Sequence, residues 1–292
     1  MAVLENRTGH KGATTAPDLK ALALKANTIR QHIIRMLAKA GSGHPGGSLS
    51  ATDIGVALYF HVMNYDPKQP KWPDRDRLVL SKGHATAFLY STLAEAGFFP
   101  TEDLATYREL ESYLEGHPDM RKIPGVEAST GSLGQGLSMG IGMALAARLD
   151  KKTYRTYVIL SDGENDEGQT WEAAMFAAHF KMDNLTALLD YNKFQLDGSI
   201  AATMGLEPLA DKWRAFGWKV FEADGHSIGA IIDAVQAAHA IKGQPSIIIC
   251  HTIKGKGVSF MENNNSFHGV APTPEEAKRA LEELAAQRKE IA

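Results

Sequence analysis

Acid and amide side chains follow two short apolar segments near the middle of the chain. Asp162 comes after the apolar residues 157–160, and Asn192 comes after the apolar residues 185–189. The residues between them, 169–181, have apolar side chains at helical spacing. The predicted buried face of this helix consists of Trp171, Ala174, Met175, Ala178 and Met182. A strand–helix–strand unit of this length joins parallel strands, so both polar turns should meet at the carboxyl edge of one sheet.

Oxygen donors at such an edge suit a magnesium ion. Mg²⁺ usually takes one or two protein groups and completes its octahedron with waters and phosphate oxygens. Asp162 and Asn192 are therefore candidate neighbours around a metal. The alternative is that both residues only end strands and form turns, and the residue types alone do not decide between the two.

Three Gly-His pairs stand where predicted elements join. They contain His44 in the glycine-rich loop 41–47, His84 in 81–84 and His117 in 115–118. A single histidine of this kind more often caps a helix or faces solvent than takes part in catalysis. Three in equivalent positions point to proton chemistry near neutral pH. The glycine-rich segment 129–136 opens a helix of small residues, which favours either close approach of a phosphate or ring, or close helix packing.

Alternating strands and helices predict an α/β fold that positions these residues. Helices are expected over 17–40, 48–62, 85–96, 129–149, 169–181, 228–240 and 273–292. Strands are expected over 77–80, 157–160, 185–189, 216–221 and 246–252. We predict a doubly wound, mostly parallel sheet with helices on both faces, forming one domain over 17–292 behind a flexible arm at 1–16.

Composition narrows the classes of function. The 292 residues are 44% hydrophobic and carry a formal charge of −3, which gives no basis for nucleic-acid or polybasic membrane binding. The single cysteine, Cys250, lies in an apolar run and excludes a disulfide framework within the chain. No apolar run approaches the ~18 residues that span a bilayer, and the N-terminus lacks a signal-peptide pattern. A cytoplasmic protein is expected.

The ordered motifs resemble the thiamine diphosphate-dependent transketolases, over about residues 17–270. The cofactor signature of that family is similar to Asp-Gly-x-x-x-Glu-Gly at 162–168 followed by Asp-x-Asn at 190–192. More specific matches are Ser-Gly-His-Pro at 42–45, Gly-His at 83–84, Gly-His-Pro at 116–118, Thr-Gly-Ser-Leu-Gly-Gln-Gly at 130–136 and Lys-Gly-Lys-Gly at 254–257. Together they distinguish transketolases from other users of the cofactor.

The resemblance implies a role for each matching residue. The metal ligands would be Asp162, Asn192 and the carbonyl of Phe194, holding Mg²⁺, or Ca²⁺ or Mn²⁺ in its place. The cofactor-binding residues would be His84, Gly131, Ser132, Leu133, Gly163, Asn192, Lys254 and His268. The catalytic residues would be His44, His117 and His268, around the reactive carbon, and Glu167, in a relay at the subunit contact.

The implied reaction moves a two-carbon ketol unit from a ketose phosphate to an aldose phosphate, with thiamine diphosphate as electron sink. In the family, a second domain binds the pyrimidine and supplies the glutamate that activates the cofactor. None of the acids here matches that glutamate, so the resemblance implies one half of a split transketolase. Its partners would be a C-terminal subunit carrying that domain and sugar phosphate substrates, and closed symmetry favours a dimer of heterodimers.

Two departures and two alternatives accompany the resemblance. Residues 262–265, Glu-Asn-Asn-Asn, replace a histidine found in some members, and Ser161 replaces the usual glycine before the aspartate. One alternative is a ketol transferase or synthase of the same cofactor class acting on another sugar or a 2-oxo acid. The other is a non-catalytic, doubly wound binding protein. The dinucleotide fingerprint for the second is missing, since the nearest glycine cluster, 41–47, follows a helix.

Overall fold

Five parallel strands form the single sheet of the described part of the chain. The structure, a computed structural model, describes Gly12 and residues 16–292. The predicted arm at 1–16 lies outside the described residues apart from Gly12 and Ala16. The strands are β1 (Arg77–Leu80), β2 (Thr156–Ser161), β3 (Leu185–Tyr191), β4 (Lys219–Asp224) and β5 (Ser246–His251). Their order is β1-β2-β3-β5-β4, with every neighbouring pair parallel.

Helices pack on both faces of this sheet. They are α1 (Leu19–Ala40), α2 (Pro45–Ser50), α3 (Thr52–Ala57), α4 (Thr86–Glu95), α5 (Gln135–Leu149), α6 (Gly168–His179), α7 (Ile200–Thr203), α8 (Leu209–Ala215), α9 (Ile228–Ala240) and α10 (Pro274–Ile291). Alternate residues of β2 enter two separate cores: Tyr157 and Ile159 face α1, α4 and α9, whereas Val158 and Leu160 face α5 and α6. The predicted α/β fold is therefore confirmed.

Local sequence signals explain where the long outer helices begin and end. Asp18 accepts a hydrogen bond from the Ala21 N–H and begins α1, and Gly41 ends it in the left-handed conformation, with φ at 61°. Thr273 and Glu276 form a reciprocal capping box at the start of α10, with proline at its first position. None of the helices formed by the described residues is long and apolar enough to cross a membrane.

Two predicted elements differ from the structure. The helix expected over 48–62 is divided into α2, α3 and a π-helical turn, Leu58–Val62. The strand expected over 216–221 begins only at Lys219, because Phe216 and Gly217 end α8 and Gly217 has φ at 84°. Trp218 is buried, and its indole N–H donates to the Ala174 carbonyl, which ties this turn to α6.

The central unit has the predicted order. β2 pairs with β3 so that Ser161 lies opposite Asp190, and a 3₁₀ turn, Asp162–Asp166, follows β2 directly. All seven residues of β3 are buried. The helix between them, α6, buries Thr170, Ala173, Ala174 and Ala177, whereas Met175 is 55% exposed. The predicted helix is confirmed, but the face assigned to Met175 was wrong.

Candidate active site

The two polar turns meet at the carboxyl edge of the sheet. The Lys193 N–H donates to Asp162 Oδ2 over 2.5 Å, which fixes the turn after β3 against the turn after β2. The Phe194 N–H donates to Asn192 Oδ1 over 3.1 Å. The topology thus brings together Asp162, Asn192 and Phe194, the three residues predicted to bind a metal.

Asp162 has an unsatisfied carboxylate oxygen. Its side chain is fully buried, and Oδ1 has no hydrogen-bond partner among the described residues. Burial, together with the nearby charge of Asp190, raises the pKa of Asp162 to about 8. A buried carboxylate oxygen without a donor is costly in the absence of a cation. The site therefore fits a hard cation held by carboxylate, amide and carbonyl oxygens.

A buried ion pair lies behind these turns. The ammonium of Lys82 contacts the carboxylate of Asp190, and both side chains are essentially inaccessible, at 1% and 0% exposure. The hydroxyls of Ser50 and Thr252 also donate to this carboxylate. Burial alone would raise the pKa of Asp190, but Lys82 and the two hydroxyls lower it below its usual value. The pair joins the ends of β1 and β3 beneath the site.

Glu164 is a second buried acid that anchors the site. It accepts hydrogen bonds from the Gly134 N–H at 3.0 Å, the Ser161 N–H at 2.9 Å and the Ser81 hydroxyl. Burial raises its pKa. Glu164 thereby holds the 3₁₀ turn, the start of α5 and the end of β1 together. Sequence reasoning assigned no role to Lys82, Asp190 or Glu164, although all three lie inside quoted motifs.

Three of the predicted histidines form a cluster. The ring centroids of His44 and His84 are 5.1 Å apart, those of His84 and His268 are 5.6 Å apart, and those of His44 and His268 are 5.8 Å apart. His44 Nδ1 is buried without a hydrogen-bond partner among the described residues. His117 lies beside this cluster, with its ring against Gly131, where an added Cβ would come within 2.8 Å of His117 Cδ2.

Lys254 fixes the orientation of His268. Lys254 Nζ lies 2.7 Å from His268 Nδ1 and 2.6 Å from Asn265 Oδ1. An ammonium group only donates, so His268 Nδ1 accepts and Nε2 carries the ring proton. Burial lowers the pKa of Lys254 to about 8, which leaves it charged at neutral pH. His268 therefore presents an N–H donor to the cavity.

The four histidines are uncharged at neutral pH. Burial lowers the pKa of His44 and of His268 to about 4, with smaller contributions from the charges of Arg108 and Lys254 respectively. Burial likewise holds the pKa of His84 well below its ordinary value and lowers that of His117. Neutral imidazoles can accept or donate a proton at pH 7, as general acid–base catalysis requires.

The remaining predicted residues lie around this cavity. Gly83 comes so close to the segment before α5 that an added Cβ would be 2.5 Å from the Thr130 carbonyl, which places Gly131 beside the histidines. Ser132 is exposed and Leu133 half-buried, and the Leu133 carbonyl accepts a hydrogen bond from Gln169. Gly163 is half-buried within the 3₁₀ turn. Glu167 is exposed at the start of α6, away from the buried carboxylates.

Comparisons with known proteins agree with this arrangement. The family model for the transketolase thiamine diphosphate-binding domain matches residues 22–290. A 6-deoxy-6-sulfo-D-fructose transketolase subunit from a Clostridium species is 50% identical over 89% of this chain and 94% of its own. One of the two apulose-4-phosphate transketolase subunits of Phocaeicola vulgatus is 42% identical over 91% of this chain and 95% of its own.

The solved transketolase of Campylobacter jejuni has the same fold. It superposes with a TM-score of 0.87 at 32% identity over 94% of this chain. The match covers 46% of the Campylobacter chain, so the present chain spans under half of that longer protein. The chain belongs to the transketolase family, and it matches the thiamine diphosphate-binding subunits of that family over nearly their whole length.

Proposed function

We propose that this chain binds thiamine diphosphate with Mg²⁺ and transfers ketol units together with a C-terminal partner subunit. The observation that carries the proposal is the meeting, at one sheet edge, of two oxygen-donor turns and a cluster of uncharged histidines. The reaction would move a two-carbon unit from a ketose phosphate to an aldose phosphate. When bound, the cofactor supplies the electron sink that allows the C–C bond beside a carbonyl to break.

The cation and diphosphate would be held at the turns after β2 and β3. Asp162, Asn192 and the carbonyl of Phe194 are the proposed ligands, and Ca²⁺ or Mn²⁺ would also suit these oxygen donors. The unpaired Asp162 Oδ1 supports this assignment. His84 and Gly163 would contact the diphosphate, while Gly131, Ser132 and Leu133 would lie against the pyrimidine ring.

The substrate end would be served by three imidazoles. His268 offers an Nε2–H donor because Lys254 occupies its Nδ1, so it would hold a substrate oxygen by donation. His44 and His117 are neutral at pH 7 and would accept or return a proton as substrate hydroxyls gain and lose charge. Each of these steps uses a side chain of this chain.

A partner chain would complete the site. Relatives that match over nearly their whole length are named as subunits, which supports a two-chain enzyme. The partner would be a C-terminal subunit with the pyrimidine-binding domain and the activating glutamate. Glu167, exposed at the start of α6, would lie at a contact between subunits.

Self-association of this chain would give a dimer of heterodimers. The outer surfaces of α5 and α6 present large apolar side chains to solvent: Met139, Met175, Phe176 and Phe180 are between 38% and 55% exposed. Adjacent apolar side chains of this size mark an interaction surface. Replacing Phe176 with glutamate should convert the dimer to a monomer in analytical ultracentrifugation, whereas a Leu110→Glu control at an exposed loop should leave it unchanged. A dimer that persists in F176E would contradict this interface.

Reconstitution tests the proposed reaction. The chain, purified together with the C-terminal subunit of the same organism, should transfer ketol units when thiamine diphosphate and Mg²⁺ are supplied. Donors should include ketose phosphates and a sulfonated ketose, because the relatives are named for 6-deoxy-6-sulfo-D-fructose and apulose 4-phosphate. Cofactor binding without ketol transfer from any donor would refute the reaction. Absence of cofactor binding by the complex would refute the site itself.

A further inference from the structure

The loop that carries Lys254 is buttressed from the side opposite the cavity. Residues 253–257 follow β5, and the Gly255 N–H donates to the Gly46 carbonyl over 3.0 Å on the cavity side. Gly255 has φ at 79°, and an added Cβ would be 2.2 Å from the Met261 carbonyl, so the backbone there is tightly enclosed. The position of Lys254 is therefore set by what holds this backbone.

A buried ion pair lies directly behind the loop. Arg30 of α1 forms a two-pronged contact with Asp53 of α3, at 3.2 and 2.5 Å, and their side chains are 10% and 6% exposed. Arg30 Nε donates to the Lys256 carbonyl over 3.1 Å. An added Cβ on Gly257 would come within 3.0 Å of Arg30 Cδ. The guanidinium thus supports the loop from its outer side.

His226 connects this ion pair to the residue before Lys254. Its Nδ1 lies 2.9 Å from Asp53 Oδ2, and the Ile253 N–H donates to its Nε2 over 2.8 Å. Since a backbone N–H can only donate, Nε2 must be unprotonated and Nδ1 must carry the hydrogen that Asp53 accepts. His226 is therefore a neutral imidazole that bridges a buried carboxylate and the backbone of the loop.

The cleft beside these residues is a support and not a second ligand site. It encloses about 280 Å³ between α1, α3, α9 and α10. The polar groups along its wall are paired with the protein: the Asn27 amide donates to the Leu284 carbonyl, and the Gln287 amide donates to the Gly257 carbonyl. These contacts join the same loop to α1 and α10, so they add to its fixation.

We propose that His226, held by Asp53 and Arg30, is a positioning residue that sets the place of Lys254 and, through it, the orientation of His268. The inference rests on the proposed function, because it concerns the residues that would face cofactor and substrate. His226 itself contacts the loop backbone, on the side away from the histidine cluster. Its effect on the reaction is therefore indirect.

Two substitutions separate the two hydrogen bonds of His226. His226→Gln places an amide oxygen near the position of Nε2 and should still accept from Ile253. His226→Asn places its amide near Nδ1, so it should keep the Asp53 contact and lose the Ile253 bond. His251→Gln is the matched control, since His251 is exposed and pairs with Glu222 on the surface.

Hydrogen–deuterium exchange of the unliganded chain provides the first measurement. The peptide covering 252–258 should exchange about tenfold faster in H226N than in the unaltered chain, while H226Q and H251Q should exchange at nearly the original rate. In the reconstituted complex, kcat should fall by up to about tenfold in H226N and should recover in H226Q, with KM for the ketose changed by less than about twofold.

Other outcomes would overturn the proposal. Unchanged exchange at 252–258 and unchanged kcat in H226N would show that the Ile253 bond does not position the loop. A fall in melting temperature with faster exchange throughout the sheet, not rescued in H226Q, would assign His226 a general structural role. The exchange measurement needs neither cofactor nor partner, so its failure is distinguishable from failure of the proposed ketol transfer.

Discussion

Replacing Lys82 with methionine should strongly destabilise the chain. Lys82 and Asp190 form an ion pair with 1% and 0% exposure, 108 positions apart in the sequence. Methionine keeps most of the side-chain volume and removes the charge. It leaves Asp190 buried opposite an apolar group, with only the Ser50 and Thr252 hydroxyls as donors.

The expected loss can be estimated from these contacts. Truncating one partner of a buried ion pair typically costs about 3–5 kcal/mol, because the other charge remains uncompensated. The two hydroxyls moderate this cost, whereas the Gly47 carbonyl, which accepts from Lys82 over 2.7 Å, loses its donor and adds about 1 kcal/mol. We expect K82M to lower the free energy of unfolding by about 4 kcal/mol, a third or more of a typical total.

The loss should depend on pH with a definite sign. Without Lys82, the pKa of Asp190 in the folded chain rises above its unfolded value, since Lys82 is the main attractive charge that lowers it. The protonated acid is then favoured in the folded state. Its contribution is present below the unfolded pKa and is lost as pH rises through the raised folded pKa. The destabilisation should therefore be smaller at pH 5 than at pH 8.

Urea unfolding followed by tryptophan fluorescence measures the effect, because Trp213 and Trp218 are buried. Lys152→Met is the matched control, since its pair with Asp74 is 37% and 42% exposed and should contribute less than about 1 kcal/mol. The double variant K82M/D190N should be more stable than K82M by about 2 kcal/mol. A K82M loss as small as that of K152M, or no recovery in the double variant, would refute the reasoning.

Three further predictions concern the cavity. Gly46→Ala should weaken cofactor binding about tenfold in calorimetry, because its Cβ would lie 3.0 Å from two carbons of Lys254, whereas Gly205→Ala, in open space, should change nothing. Asp162→Asn should weaken Mg²⁺-dependent cofactor binding by about a hundredfold yet leave the apo melting temperature unchanged or higher, and a lower one would contradict the unpaired oxygen. The His44 ring resonance should stay constant in NMR from pH 8 to 5.5 and shift only on further acidification, and a midpoint near 6.5 would contradict its burial.

The juxtaposition of Asp162 and Asn192 could be predicted because it follows from chain topology. Two buried strands joined by a helix must be parallel, and parallel strands end at one edge. The same logic correctly gave helices on both faces. Residue pairs that meet across the fold have no such rule. Lys82 and Asp190 look like ordinary motif and turn residues, and only the packed structure brings them into contact.

The errors have equally local causes. Met175 was assigned to the buried face because α6 carries apolar residues around most of its circumference, and periodicity alone cannot select among them. Small alanines pack against the sheet, and the large side chains face outward. The strand at 216–221 was started too early because Phe216 extends the apolar run. Gly217, with positive φ, is the helix-ending signal that would have corrected it.

The lone oxygen of Asp162 has a consequence for the supply of the protein itself. An apo subunit carries this cost throughout its lifetime, and binding of cation and cofactor removes it only in the folded state. A ligand at about a hundred times its dissociation constant adds about 2.7 kcal/mol to folding. Degradation of transiently unfolded molecules would then fall as thiamine diphosphate becomes available. The abundance of this subunit is therefore expected to follow vitamin supply without any change in its synthesis.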